Sequence, residues 1–159
     1  MGWKVNGLIV EGPVDPVRLP GRPRDEGEAI DIDGVFRRPC DYGVASIGDW
    51  TFIADPGFRV SFNDEAVQEL SITSRTLAWV TNSVSTVHGI AWYIDRTPLR
   101  RIVYAEGQVV DEYGQPIPEE AAAPDPTAED YVFEMMQRLT GCGWGDGADA
   151  AYRVWTCTE

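Results

Sequence analysis

The first half of the chain alternates apolar and polar residues in short runs, a period that predicts β-strands. The pairs Gly48-Asp49 and Pro56-Gly57 are turn signals that separate several of these runs. Since runs and turns follow one another closely, the pattern predicts an antiparallel sheet. The predicted strands of this half are residues 3–10, 29–36, 44–47, 50–54 and 58–62.

The second half begins with a helix signal and continues with further strands. Asn63 is an N-cap candidate, and Asp64 and Glu65 follow in the first turn, where the positive end of the helix dipole favours acidic side chains. Residues rich in β-branched and aromatic side chains come next, which favours extended structure. The predicted strands are residues 76–82, 85–95, 98–107 and 108–114, with a last one at 152–157.

A second helix is predicted before the last strand. Thr127 and Asp130 form a T-x-x-D capping pattern, and Gly141 is placed to end the helix. The apolar side chains between them recur at i, i+3, i+4 and i+7, as on the buried face of a helix. These residues are Val132, Met135, Met136 and Leu139.

Two segments show neither the alternating pattern of a strand nor the periodic pattern of a helix. Residues 11–28 are rich in proline and glycine, and residues 115–126 are rich in proline and acidic side chains. We expect neither segment to hold a strand ladder or a core helix. The prediction for residues 1–159 is therefore one α+β domain: an antiparallel β-sheet of about six to eight strands, with two α-helices packed on it.

The charge narrows the range of partners. The chain carries 26 acidic and 13 basic residues, a formal charge of −13. This excess of negative charge repels nucleic acids and anionic membranes, so we expect no binding to either, and it favours a basic protein partner. The basic cluster Arg96, Arg100 and Arg101 is expected to pair with carboxylates inside the protein.

Other sequence signals are absent. Cys40, Cys142 and Cys157 show no CxxC spacing, so they are expected to be reduced thiols without a disulfide or zinc. No cofactor motif is present, and no apolar run is long enough for a secretory signal or a transmembrane helix. These observations predict a soluble, cytoplasmic protein without cofactor or metal. They leave its oligomeric state open.

His88 is the single histidine and the main candidate for catalysis. As a general base it needs a carboxylate or nucleophile within hydrogen-bond reach and access to solvent. No nucleophile motif accompanies it, and in a strand it would share a face with Ile90 and Trp92. We therefore expect a structural histidine. Burial among these apolar residues would contradict a catalytic role.

Two further motifs are weak. The stretch DIDG, residues 31–34, resembles the start of a calcium loop, but later ligand positions hold apolar or basic residues. GCGWGDG, residues 141–147, resembles a phosphate loop in composition only, because it lacks GK[ST] and contains Asp146. We expect a strand for the first and a flexible loop for the second.

Three fragments, GDWTFIADPGF, YAEGQVVDEYG and MMQRLTG, are similar to an arrangement seen in small acidic proteins of actinobacterial type and in immunity proteins that neutralise bacterial toxins. The similarity extends over residues 43–141. It implies a non-enzymatic binding protein and assigns no functional residue.

The leading hypothesis is an immunity-type inhibitor that neutralises a basic toxin or nuclease. Alternatives are a phage-encoded inhibitor of host defence, a virion or assembly component, and a hydrolase that uses His88. An exposed sheet face bearing Trp50 or Trp79 is a second candidate surface. A variant in which Ser replaces three of the predicted contacts, Glu119, Glu120 and Asp125, is expected to keep its fold. The predicted partner contacts are Asp15, Asp25, Glu26, Glu28, Glu119, Glu120 and Asp125.

Overall fold

The computed structural model describes residues 2–38, 40–123, 125 and 128–159. Within them the chain forms nine strands, four α-helices and two 3₁₀ helices. The strands are β1 (Lys4–Glu11), β2 (Pro23–Ile30), β3 (Tyr42–Ile47), β4 (Trp50–Ala54), β5 (Arg75–Asn82), β6 (Val87–Ile94), β7 (Thr97–Ala105), β8 (Gln108–Tyr113) and β9 (Tyr152–Cys157). The helices are α1 (Ile32–Arg37), α2 (Asp64–Leu70), α3 (Glu129–Thr140) and α4 (Trp144–Asp149), and the 3₁₀ helices are Pro16–Arg18 and Pro118–Ala122.

All nine strands belong to one antiparallel sheet, in the order β2-β9-β3-β4-β1-β5-β6-β7-β8. The first strand, β1, lies at its centre, where Gly7 stands opposite both Ala54 and Trp79. The predicted α+β class is confirmed. The sheet has more strands and the protein more helices than the sequence predicts.

Apolar side chains fill both faces of the sheet. On one face, α1, α3 and α4 cover Phe52, Trp79 and Ile90, each at most 1% exposed. The Trp144 ring of α4 lies parallel to Phe133 with 5.4 Å between ring centroids. On the other face, α2 and the turns around it cover a second cluster, which includes Leu8, Ile53, Val67, Leu70 and Tyr93.

Both predicted helices are present where their end signals place them. Asn63 caps α2 by accepting a hydrogen bond from the Ala66 N–H at 3.3 Å. Helix α3 buries its predicted apolar positions and ends at Gly141, whose φ of 78° a glycine adopts without steric cost. Thr127, the predicted cap of α3, lies outside the described residues.

The predicted strand at residues 29–36 is wrong. Strand β2 ends at Ile30, and α1 begins at Ile32. The Asp31 carboxylate accepts a hydrogen bond from the Gly34 N–H at 2.7 Å, and Asp33 lies in the first helical turn. Local capping of this kind stabilises a helix start whatever the hydrophobic period is.

The predicted strand at residues 58–62 is also wrong, because this segment is a series of turns. A fully buried carboxylate, Asp55, accepts hydrogen bonds of 2.8–2.9 Å from three successive N–H groups, those of Arg59, Val60 and Ser61. These bonds use the backbone N–H groups that would otherwise pair with a neighbouring strand.

Both proline-rich segments hold more structure than predicted. Residues 23–28 belong to β2, in which the unpaired edge tolerates Pro23 and a bulge accommodates Gly27 with φ of 77°. The 3₁₀ helix Pro118–Ala122 interrupts the other segment, and its neighbours Ile117 and Ala123 pack against the core. The glycine-rich stretch at residues 141–147, expected to be a loop, contains the first four residues of α4.

Candidate functional site

Ion pairs take up most of the positive charge. Nine of the twelve arginines lie within 4.0 Å of a carboxylate. Among the described residues, the basic side chains outside these pairs are Lys4, Arg18, Arg37 and Arg96. The expected internal pairing is thus confirmed for Arg100 and Arg101 and is wrong for Arg96. Since acidic residues outnumber basic ones two to one, the charge left unpaired is mainly negative.

The predicted contacts in the first acidic segment are mostly bonded to arginines. Asp15 is exposed and caps the 3₁₀ helix by accepting a hydrogen bond from the Val17 N–H at 3.0 Å. Each of the other three carboxylates is matched by one guanidinium, which reduces the charge that it presents to a partner. Asp25 accepts from Arg153, Glu26 from Arg24, and Glu28 from Arg38.

Two of these carboxylates have shifted acidities. The N–H of Gly27 lowers the pKa of Asp25 below its ordinary value, with a smaller contribution from Arg153. The bond from Arg38 lowers the pKa of Glu28 in the same way. Both groups are therefore ionised at neutral pH and remain ionised further into the acidic range.

The second acidic segment turns one carboxylate inward. Glu120 is only 14% exposed and accepts hydrogen bonds from Arg100 at 3.0 and 3.1 Å. It also accepts from the Ile117 N–H and the Tyr131 hydroxyl. The neighbouring Glu119 is half-buried, and Asp125 is exposed. A role of these residues in partner binding stays a prediction.

Further carboxylates gather around the β3–β4 hairpin. A cavity of about 650 Å³ lies beside it, and its walls combine Ala45, Ile47 and two aspartates of α4, Asp146 and Asp149. A second cavity of about 490 Å³ on the other side of the hairpin contains Asp49. The two cavities share Ser46. We call the surface formed by Asp49, Asp146 and Asp149 the acidic end.

The acidic end has no basic side chain in the lining of either cavity. All three aspartates are exposed, and none is in an ion pair with a described residue. Trp50, 8% exposed, lies in the second cavity with the Arg75 guanidinium 5.0 Å from its ring centroid. The arrangement offers carboxylates beside aliphatic and aromatic walls, which suits the charged tip and methylene stem of an arginine or lysine.

Sequence reasoning missed this surface. Asp49 attracts attention only as part of a turn, and Asp146 only as an argument against a phosphate loop. They meet because the β3–β4 hairpin packs beside α4, nearly a hundred residues later in the chain. The other suggested surface, an exposed sheet face bearing Trp50 or Trp79, is wrong: Trp50 and Trp79 are 8% and 1% exposed and both belong to the core. Trp50 also lines the second cavity.

His88 lies in a closed position. It is 4% exposed, and its Nδ1 is 2.7 Å from Oγ1 of Thr81, its cross-strand neighbour. Burial lowers the pKa of the imidazole, and the charge of Glu129 opposes part of that shift. His88 lines neither of the two cavities at the acidic end. Among the described residues, no carboxylate is within hydrogen-bond distance of the buried ring, whereas a general base needs such a partner and access to solvent.

The remaining motifs take structural roles. Asp31 and Asp33 belong to the start of α1, and the glycine-rich stretch forms α4. In the part of the chain that the structure describes, no group of three or more His, Cys, Asp or Glu side chains is arranged to hold a metal ion. None of the described helices is long and apolar enough to cross a membrane.

Comparisons with protein-family models, with curated proteins and with solved structures found no match for this chain.

Proposed function

We propose that this protein is a non-enzymatic inhibitor of the immunity type, which binds a basic toxin or nuclease and blocks it. The observation that supports the proposal is the acidic end, where two adjoining cavities carry carboxylates and no basic side chain. Internal ion pairs neutralise most arginines, so little positive charge is left to oppose a cationic partner near this surface. Asp49, Asp146 and Asp149 are the proposed primary contacts.

The charge and the cavities contribute to different steps of binding. A net charge of −13 steers a basic protein towards the inhibitor and raises the association rate, by tenfold or more in comparable systems. The cavity beside α4 then receives a basic side chain between Asp146 and Asp149, with Ala45 and Ile47 against its methylene stem. Contacts in such partly desolvated pockets slow dissociation.

The carboxylates predicted from the sequence enter the proposal as secondary contacts. Asp15, Glu119 and Asp125 lie in the two proline-rich segments and add to the negative field. Asp25, Glu26 and Glu28 are bonded to arginines, and Glu120 is bonded to a buried one. We expect these four to contribute less to association than the three aspartates of the acidic end.

The test compares two variants that lose the same charge. Asp49→Asn, Asp146→Asn and Asp149→Asn are combined in one variant, and Glu65→Gln, Glu69→Gln and Glu106→Gln in the control. The control residues are exposed and form no ion pair with a described residue. The full-length protein is immobilised, and a lysate of its source cells is applied at low ionic strength. A protein recovered in stoichiometric amount is purified and assayed for nuclease or other toxic activity.

The expected result is a basic protein whose activity the wild type blocks. The acidic-end variant should associate about tenfold more slowly, with a flatter dependence on salt, and the control should behave like the wild type. A third variant, in which Asp25, Glu26 and Glu28 are replaced by amides, should show a smaller loss. Failure to recover a basic protein, or equal losses in the two matched variants, would contradict the proposal.

A further inference from the structure

The opposite end of the central strand has a different character. Strand β1 reaches the acidic end at Glu11, and its other end, Lys4, borders two adjoining cavities of about 490 and 280 Å³. These cavities share Lys4, Val5 and Phe36 and form one groove. We call it the Lys4 groove. Aromatic side chains line it along its length: Trp3 in the larger cavity, Phe36 in both and Phe58 in the smaller.

Two of the four basic residues outside ion pairs line this groove. Lys4 and Arg37 are exposed, and neither lies within 4.0 Å of a carboxylate among the described residues. The lining contains one acidic side chain, that of Asp33. Nearby, Glu129 already accepts hydrogen bonds from the Trp3 N–H at 3.0 Å and from the Ser83 hydroxyl at 2.8 Å. Within a protein of strong negative charge, the lining of this groove thus carries one more basic side chain than acidic ones.

The backbone that carries the aromatic side chain at the far end is held in place before any ligand binds. Phe58 is 54% exposed and has a φ of 52°, an uncommon conformation for a bulky residue. The buried Asp55 fixes its turn, because the Asp55 carbonyl accepts a bond from the Phe58 N–H at 3.1 Å and its carboxylate binds the next three N–H groups. Because the backbone of this turn is already ordered, binding against the Phe58 ring does not require ordering of the loop.

We propose that the Lys4 groove binds a small amphipathic carboxylate, with its anionic head between Lys4 and Arg37 and its apolar body against Phe36 and Phe58. The head is small because the lining offers two basic side chains against the one carboxylate of Asp33, whereas the field of the whole protein repels a polyanion. The body is apolar because Val5 and Val80, 5% and 7% exposed, line the groove between the aromatic rings. A basic protein segment would instead be repelled here, so this site is independent of the acidic end.

The test uses two ligands of almost equal shape, 2-naphthoate and its neutral amide, 2-naphthamide. Binding to the full-length protein is followed by chemical-shift changes in amide NMR spectra. We expect wild type to bind the carboxylate at least tenfold more tightly than the amide, with the largest shifts at Lys4, Phe36 and Phe58. Equal binding of the two ligands, no binding of either, or shifts confined to other surfaces would overturn the proposal.

Substitutions test which side chains contact the anionic head and which contact the apolar body of the ligand. Lys4→Gln with Arg37→Gln should remove the preference for the carboxylate. The matched control, Arg18→Gln with Arg96→Gln, removes the other two basic residues outside ion pairs, which line a separate cavity, and should keep it. Phe58→Ala should weaken both ligands alike. A control that loses the preference to the same extent would show a general charge effect and overturn the assignment.

Discussion

The two segments at residues 11–28 and 115–126 are both rich in proline and carry several carboxylates, but they contribute differently to the fold. The first supplies an edge strand whose carboxylates bond to exposed arginines, in pairs such as Arg38–Glu28, with side chains 43% and 49% exposed. The second sends Glu120 into contact with Arg100, whose side chain is 3% exposed. Composition alone does not distinguish a surface charge from a buried one.

The difference depends on how much hydration each arginine loses on folding. Arg38 stays hydrated, so its bond to Glu28 replaces contacts with water at little net gain. Arg100 is removed from water and depends on protein partners: Glu120, Glu112 at 2.8 Å and the Gly114 carbonyl at 2.8 Å. Removing one of these partners leaves charge that water cannot reach easily. The two segments should therefore respond unequally to the same substitution.

The largest effect is expected from Glu120→Ala. The variant leaves the buried Arg100 guanidinium with half of its carboxylate partners, which should cost about 3 kcal/mol of unfolding free energy. For a domain of this size, that corresponds to a fall of about 6–12 °C in Tm. Urea unfolding followed by tryptophan fluorescence measures it. We therefore expect a variant that includes Glu120→Ser to lose stability, whereas the sequence alone predicts an undisturbed fold.

Two matched substitutions make this comparison specific. Glu119→Ala removes the adjacent carboxylate, whose buried Oε2 has no hydrogen-bond partner among the described residues, and should change stability by less than about 0.5 kcal/mol. Glu28→Ala removes a carboxylate of the first segment and should also have little effect. Equal losses in Glu120→Ala and Glu28→Ala would show that the two segments do not differ in the way proposed.

The second prediction compares two glycines, one within the first segment and one directly before the second. Gly27, in the edge strand, and Gly114, after β8, have similar φ values of 77° and 79°. A Cβ at Gly27 would meet nothing within 4 Å, whereas one at Gly114 would lie 2.2 Å from the Leu99 carbonyl oxygen. Gly27→Ala should cost about 1 kcal/mol through its backbone conformation alone. Gly114→Ala should lower the free energy of unfolding by about 2–3 kcal/mol. The larger loss is expected because the clash also displaces the Gly114 carbonyl, which accepts a hydrogen bond from Arg100.

Thermal unfolding of the two glycine variants checks this order. An equal fall in Tm for the two variants would mean that backbone conformation determines the loss at both positions. The turn after β8 would then adapt without disturbing Arg100. A larger loss for Gly27→Ala would reverse the comparison between the two segments.

Local signals account for the parts of the fold that the sequence predicts correctly. Asn63 and Gly141 act within one helical turn, and the strand periods of β4 to β8 depend on neighbouring residues. The error at residues 29–36 also has a local origin, the Asp31 cap, but the error at residues 58–62 has a different cause. Residues 58–62 are turned by Asp55, which is buried only after β1 supplies Asn6, whose side-chain amide donates to the Asp55 carbonyl and to Ser61. Such a contact spans about fifty residues and leaves no periodic trace.

The candidate sites were harder to predict than the fold. Net charge indicates the class of partner but not its location, because location depends on which carboxylates meet an arginine. Glu120 and Glu119 are neighbours with opposite environments, and the two aspartates of α4 gain their place beside the hairpin through packing. The Lys4 groove has the same origin: its basic residues stand out only after the other arginines are found in pairs.

The smallest expected effect concerns pH. The pKa values of Asp25 and Glu28 are lowered in the folded protein, so the unfolded chain binds protons more readily. Their contribution to stability is therefore complete above the ordinary carboxyl pKa values of about 4 and is lost as the pH falls through the lower folded values. A variant with Asp25→Asn and Glu28→Gln should lose less stability than wild type on acidification.

Urea unfolding at a series of pH values between neutrality and about pH 3 resolves this difference. The curves of wild type and variant should be separated by a constant amount at neutral pH and converge on the acidic side, since the substituted amides do not titrate. The control is Asp15→Asn, which removes a carboxylate that has no arginine partner among the described residues and keeps a side-chain oxygen for the cap. Curves for the double variant that stay parallel to wild type down to the acidic limit would mean that solvent screens both arginine pairs completely. The edge strand would then contribute its charges to the surface field and nothing to the stability of the fold.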